Sequence, residues 1–93
     1  MTLKKINTIL ELKQQAEIEI KNELKLAFSK ELLDLLFSHP YIKIGILEQF
    51  GIAKRQTASE YLKKIELLGW LHSMKIGRET YYINHRLIDV LSQ

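Results

Sequence analysis

The stretch that decides the fold is GIAKRQTASEYLKKIELLGWL, residues 51–71. Between Gly51 and Gly69, apolar residues recur at three- and four-residue steps: Ala58, Tyr61, Leu62, Ile65 and Leu68. This spacing puts them on one face of an α-helix and leaves the charged and polar residues largely outside that face. A glycine directly after the last apolar position is the usual end of a helix. The stretch therefore predicts a helix over residues 55–68 that ends at Gly69.

The sequence on either side of this helix completes a supersecondary pattern. Upstream, residues 43–50 predict a shorter helix that ends at Gly51. Downstream, residues 70–76 and 80–84 are rich in aromatic and β-branched residues, and they flank the three-residue loop Gly77-Arg78-Glu79. That arrangement is typical of a β-hairpin. Two helices followed by a hairpin predict a winged helix-turn-helix, in which the second helix is the recognition helix and the hairpin is the wing.

The first part of the chain predicts one long helix. Residues 7–28 contain no glycine or proline, and Thr8 and Glu11 have the spacing of a capping box at a helix start. The apolar stripe of this helix consists of Ile6, Leu10, Ala16, Ile20, Leu24 and Ala27. The stripe either packs on the rest of the chain or pairs with another chain.

Two further helices are predicted from their caps. Ser29 is a candidate N-cap for residues 30–37, a helix that Pro40 stops, and Asn84 is a candidate N-cap for residues 85–91. The predicted fold class is mainly α with a small β-hairpin. We predict a long linker or dimerisation helix over residues 1–28, followed by a winged helix-turn-helix domain over residues 29–93.

Composition bounds the classes of function. The 93 residues are 46% hydrophobic and 27% charged, which is a globular profile. A chain of this length buries only about 60–65% of its unfolded surface, so a small binding module is favoured over an enzyme with a large enclosed core. The absence of cysteine excludes thiolate zinc sites, and no apolar run approaches the ~20 residues of a membrane span. We predict a cytoplasmic protein without cofactors or membrane contact.

The net charge of +3 is unevenly distributed. Residues 1–37 carry six lysines and six acidic residues, whereas residues 38–93 carry eight basic and five acidic residues. The whole net charge of +3 therefore arises from residues 38–93. An excess of this size permits binding to nucleic acid without requiring it.

Three segments carry a resemblance to a known family: LFSHPY at 36–41, KRQTASEYL at 54–62 and IGRETYYIN at 76–84. They resemble the C-terminal winged-helix domain of Fic-family (filamentation induced by cAMP) protein adenylyltransferases, over residues 29–91. The long helix before them resembles the segment that links the family's catalytic domain to this module. The resemblance implies a regulatory or target-docking module beside a domain that transfers AMP from ATP to hydroxyl side chains.

The family's catalytic loop, His-Pro-Phe followed by Asp/Glu-Gly-Asn-Gly-Arg, is absent from this sequence. His39-Pro40 is followed by Tyr41-Ile42-Lys43 and by no Gly-Asn-Gly cradle for an anion. The resemblance therefore implies that this chain is not itself an enzyme. It would be either a fragment of a longer adenylyltransferase or a gene product without the catalytic part.

Candidate DNA-binding residues lie on the recognition helix and at the wing tip: Lys54, Arg55, Gln56, Thr57, Ser59, Lys63, Lys64 and Arg78. Arg55 and Gln56 can hydrogen-bond guanine and adenine edges, and Lys54 can contact phosphate. The alternative is a solvated helix terminus and a turn in which Arg78 pairs with Glu79. Glu60 would face the same groove and repel phosphate, and cations at a helix N-terminus oppose its dipole.

Two other groups of residues favour structural roles. The aromatic residues Tyr61, Trp70, Tyr81 and Tyr82 could stack on single-stranded bases, but their spacing favours core packing behind the wing. The three histidines, His39, His72 and His85, are too scattered in the sequence to predict a metal site.

Three functions follow from these observations. The first is a regulatory or adaptor module of a Fic-type adenylyltransferase, with double-stranded DNA as one ligand. The second is a free-standing transcription regulator that dimerises through its first helix, with Leu10, Ile20 and Leu24 as seam positions. The third is a protein-interaction module that docks a Fic catalytic domain or its target protein.

Overall fold

The computed structural model describes residues 3–92. Its regular elements, in chain order, are α1 (Leu3–Leu24), a short 3₁₀ helix (Lys25–Ala27), α2 (Lys30–Ser38), β1 (Tyr41–Lys43), α3 (Ile44–Gln49), α4 (Arg55–Leu67), β2 (His72–Ile76), β3 (Glu79–Ile83) and α5 (His85–Leu91). The chain is mainly helical with a small antiparallel sheet, which confirms the predicted fold class.

The predicted caps of two helices are confirmed by side-chain hydrogen bonds. The Ser29 hydroxyl accepts from the backbone N–H of Leu32 at 3.2 Å, at the start of α2. The Asn84 side-chain oxygen accepts from the backbone N–H of Leu87, also at 3.2 Å, at the start of α5. Each cap satisfies an amide that the helix itself leaves unpaired.

The first helix differs from its predicted bounds. The chain is already helical at Leu3, so Thr8 lies inside α1 and the predicted capping box at Thr8 and Glu11 is wrong. The helix ends at Leu24 rather than Phe28, because Lys25 adopts a left-handed backbone with φ of 54° and the chain continues as a 3₁₀ turn.

The sheet has three strands rather than the two predicted from the hairpin. Residues 41–43 form β1, which pairs antiparallel with β3, so that the strand order is β1-β3-β2. The predicted third helix therefore begins at Ile44 instead of Lys43. A three-residue strand is too short to show a period of two in the sequence, and it forms because β3 supplies its hydrogen-bonding partner.

The wing is the hairpin of β2 and β3. Ile76 pairs with Glu79, so the loop has two residues, Gly77 and Arg78, rather than the predicted three. Gly77 has a φ of 64°, which glycine adopts without strain and which two-residue hairpin loops require. The turn fixes Arg78 at the tip of the wing.

The core is shared by α1, α2, α3, α4 and the sheet. Its residues with no solvent exposure are Ala16, Ile20, Leu32, Ile42, Leu47, Ala58, Leu62 and Ile65. Only the middle of the predicted stripe, Ala16, Ile20 and Leu24, joins this core. Ile6 and Leu10 are exposed, as is Ala27, so the stripe packs on the rest of the chain through its middle and not through its ends.

Trp70 joins the first helix, the core and the last helix. The ring is 2% exposed, and its indole N–H donates to a Glu19 carboxylate oxygen at 3.0 Å. The Arg86 guanidinium lies 4.1 Å from the ring centroid, within the range of a cation–π contact. These contacts connect α1 and α5 to the chain directly before the wing.

Candidate nucleic-acid interface

Helix α4, the predicted recognition helix, presents one buried and one exposed face. Ala58, Leu62 and Ile65 have no solvent exposure, whereas Gln56 and Lys63 are exposed. Its N-cap residue, Lys54, makes no side-chain hydrogen bond to the first turn. A lysine ammonium has no acceptor atom, so Lys54 cannot cap the amides of that turn.

A cleft of about 210 Å³ lies between the wing and the start of α4. Its lining residues are Lys43, Ile44, Gly45, Arg55, Arg78, Glu79 and Thr80, and we call it the wing cleft. It brings together two predicted DNA-binding residues from different elements, Arg55 at the start of α4 and Arg78 at the wing tip.

A second, shallower depression runs along α4. Ile44, Arg55, Gln56, Ser59, Glu60 and Lys63 line it, and we call it the helix depression. Arg55 and Ile44 line both the wing cleft and the helix depression. The two depressions therefore meet at Arg55, on the side of the molecule that carries the wing.

The remaining predicted site residues lie outside both depressions. Lys54, Thr57 and Lys64 are exposed, but they line neither the wing cleft nor the helix depression. On the helix, Thr57 and Lys64 are two turns apart and share a flank of α4 that differs from the flank of Ser59 and Lys63.

Two of the basic residues that line the wing cleft, Lys43 and Arg55, are paired with carboxylates. The Lys43 ammonium lies 3.1 Å from a Glu79 carboxylate oxygen, and the Tyr81 hydroxyl donates to the same oxygen at 3.2 Å. Hydrogen bonding and charge attraction from Glu79 raise the pKa of Lys43, and Lys43 in turn lowers the pKa of Glu79. Arg55 lies 3.8 Å from a carboxylate oxygen of Glu48.

Arg78 differs from these two cations. Within the described range, 3–92, no carboxylate lies within 4.0 Å of its guanidinium, so the alternative pairing with Glu79 is not formed. Glu79 instead pairs with Lys43 across the strands. Lys43 was not among the predicted site residues, because its proximity to the wing depends on the pairing of β1 with β3.

The aromatic residues support the wing from behind. Trp70 and Tyr82 are 2% and 4% exposed, and Tyr61 and Tyr81 are half-buried. Phe37 packs edge-to-face on Trp70, with ring centroids 6.4 Å apart. Two of the four rings are thus too deeply buried to stack on bases, in agreement with the predicted packing role.

The seam that was predicted for a dimer is largely occupied by the chain's own core. Ile20 and Leu24 are 0% and 6% exposed, so neither can serve as a seam position, while Leu10 is 52% exposed.

No helix found between residues 3 and 92 combines the length and apolar character that crossing a bilayer requires.

Two comparisons with known proteins gave matches to this chain. One match is 38% identical over 53 residues to elongation factor Ts of Mycoplasmoides gallisepticum (strain R(low / passage 15 / clone 2)). That match spans 57% of this chain and 18% of the elongation factor. The other is the family model described as "Protein adenylyltransferase SoFic-like, C-terminal domain", which matches residues 12–87 and so includes both depressions. The chain therefore belongs to the family of C-terminal domains of SoFic-like protein adenylyltransferases.

Proposed function

We propose that this domain is a cytoplasmic, non-catalytic module that binds double-stranded DNA beside the catalytic part of a Fic-type adenylyltransferase. The observation that carries the proposal is the wing cleft, where Arg55 of α4 and Arg78 of the wing line one surface. A recognition helix in the major groove and a wing on the backbone would need cations at these two places.

The exposed residues of α4 supply chemistry for reading a duplex. Arg55 and Gln56, in the first turn of α4, would approach base edges, where arginine pairs with guanine and glutamine with adenine. Lys54, Lys63 and Arg78 would contact phosphates, since all three are exposed. Ser59 in the helix depression would add a neutral hydrogen-bonding group.

A protein-docking role is the second candidate, and one observation favours it. Leu67 is 88% exposed on α4, one turn beyond Lys63 and two turns beyond Glu60. An exposed leucine on the same flank of the helix as an acidic residue suits a protein surface better than a phosphate backbone. The partner would then be a Fic catalytic domain or its target protein.

Salt-dependent binding to a duplex separates the two functions. We expect fluorescence anisotropy to show binding of a labelled duplex that weakens linearly with log salt, because each phosphate contact releases counterions. Lys54→Ala and Arg78→Ala should each flatten the slope by about one unit for every duplex sequence. Glu60→Gln should tighten binding, because it removes a negative charge from the helix depression.

The control is Lys21→Ala, which removes one positive charge from α1 at a residue outside both depressions. We expect it to preserve the slope of the wild type. If the wild-type protein shows no binding at low salt and about 100 µM, where even non-specific binding by DNA-binding proteins is usually measurable, the DNA proposal fails. The face of α4 would then be tested as a docking surface.

A further inference from the structure

The wing cleft contains a cation that the sequence did not single out. Lys43 is the last residue of β1, and its pairing with Tyr81 of β3 fixes it beside the wing. Its ammonium also lies 5.5 Å from the centroid of the Tyr81 ring. Three basic side chains from three elements, Lys43, Arg55 and Arg78, thus line a single cleft.

The size of the wing cleft suits a small, hydrated anionic group. Its volume of about 210 Å³ is well above the roughly 10–15 Å³ that a single water needs. A Cβ placed on Gly45 would meet nothing within 4 Å, so the backbone at that wall is open to a ligand. Thr80, on the wing side, contributes a neutral hydroxyl to the lining.

The carboxylate that holds Lys43 is weakly bound to it. The two side chains of the Lys43–Glu79 pair are 40% and 55% exposed, and exposed pairs of this kind contribute little to stability. A phosphate oxygen can therefore compete with Glu79 for the Lys43 ammonium at small cost. Arg78 needs no such exchange, because no carboxylate in the described part of the chain lies within 4.0 Å of it.

We propose that the wing cleft seats one backbone phosphate of the bound duplex, held between Lys43 and Arg78, and that Glu79 competes with this phosphate for Lys43. The inference rests on the proposed DNA-binding function. It adds to that function a phosphate contact at Lys43 and a competing negative charge at Glu79. Arg55, which lines both depressions, would lie between this phosphate and the base edges.

The test uses a double variant, because Lys43→Ala alone would also free Glu79 to repel the duplex. Duplex binding is measured against salt for the wild type, Lys43→Ala, Glu79→Gln and Lys43→Ala/Glu79→Gln. We expect Glu79→Gln to tighten binding and the double variant to lose about one unit of salt slope relative to Glu79→Gln. Lys21→Ala is the charge-matched control, and Lys43→Gln replaces Lys43→Ala if thermal unfolding shows a lower Tm.

The outcomes distinguish this inference from the function on which it rests. If the double variant and Glu79→Gln have equal slopes while the wild type binds, Lys43 acts only as the partner of Glu79. The inference is then overturned and the DNA-binding function stands. If the wild type binds no duplex at low salt, both are overturned. A loss of about one unit of slope, with Lys21→Ala unchanged, supports both.

Discussion

The inward face of α4 presents Ala58, Leu62 and Ile65, all without solvent exposure, whereas its outward face presents Gln56, Glu60 and Lys63, all exposed. One 13-residue helix therefore has a packing face and a solvent-exposed polar face. The inward residues are required by the core, and any apolar set of similar volume could replace them. The outward residues have no such requirement, so substituting them can change binding with little effect on stability.

The largest expected effect tests the inward face. Leu62→Ala and Ile65→Ala should each lower the free energy of unfolding by about 2–5 kcal/mol, because both leave a cavity in a small core. Leu67→Ala is the matched control, since this leucine lies on the same helix and is 88% exposed. It should change stability by no more than about 0.5 kcal/mol. Urea denaturation measures the free energy of unfolding of all three variants. Equal losses would mean that the two faces do not differ in their contribution to stability.

The next effect tests the outward face. Arg55→Ala and Gln56→Ala should each relax preference at one base pair, worth about 1–3 kcal/mol of discrimination, because each removes a base-edge hydrogen-bonding group. Their stability should stay within about 0.5 kcal/mol of the wild type, since both side chains are exposed. Binding to duplexes with single base-pair changes measures the first effect, and urea denaturation measures the second. A uniform loss across all duplexes would reassign both residues to phosphate contacts.

The smallest effect concerns Glu66, which connects α4 to the wing. Its carboxylate accepts the backbone N–H of Ser73 at 2.7 Å, and hydrogen bonding from the Ser73 side chain and amide lowers the pKa of Glu66. A lowered folded-state pKa adds stability above the unfolded value of about 4.3, and that stability is lost as pH falls through the lowered value. Unfolding measured between about pH 6 and pH 3 should therefore show a steeper loss for the wild type than for Glu66→Gln.

Ser73→Ala is the matched variant for this pH effect. It removes the hydroxyl but keeps the backbone N–H that Glu66 accepts, so its pH profile should lie between those of the wild type and Glu66→Gln. Identical profiles for all three proteins would mean that the contact between Glu66 and Ser73 does not contribute to stability.

Local signals explain which parts of the fold could be predicted from the sequence. Ser29 and Asn84 were identified as caps because a cap depends on residues within one turn. The face of α4 was identified because its period extends over more than three turns. By contrast, β1 has only three residues, and its partner strand lies about 40 residues further along the chain. No signal within residues 41–43 could have indicated it.

The placement of the candidate site residues could be predicted to the same extent as the fold, and for the same reason. Arg55, Gln56 and Arg78 follow from the helix start and the turn, which are local features. Lys43 could not be added, because it joins the wing cleft only through the long-range pairing of β1 with β3. Glu79 pairs with its neighbour Arg78 in the alternative interpretation of the wing, but the sheet places it against Lys43 instead.

The most direct test of the central claim is a map of backbone amide shifts on addition of a short duplex at low salt. We predict that the perturbed amides cluster at residues 43–45, at residues 54–63 and at residues 77–80, which contain the linings of the wing cleft and helix depression. The amides of α1 and α5 should remain unchanged. Perturbations confined to α1 and α5, or none at saturating duplex, would contradict the assignment of the outward face of α4 and the wing as a DNA-binding surface.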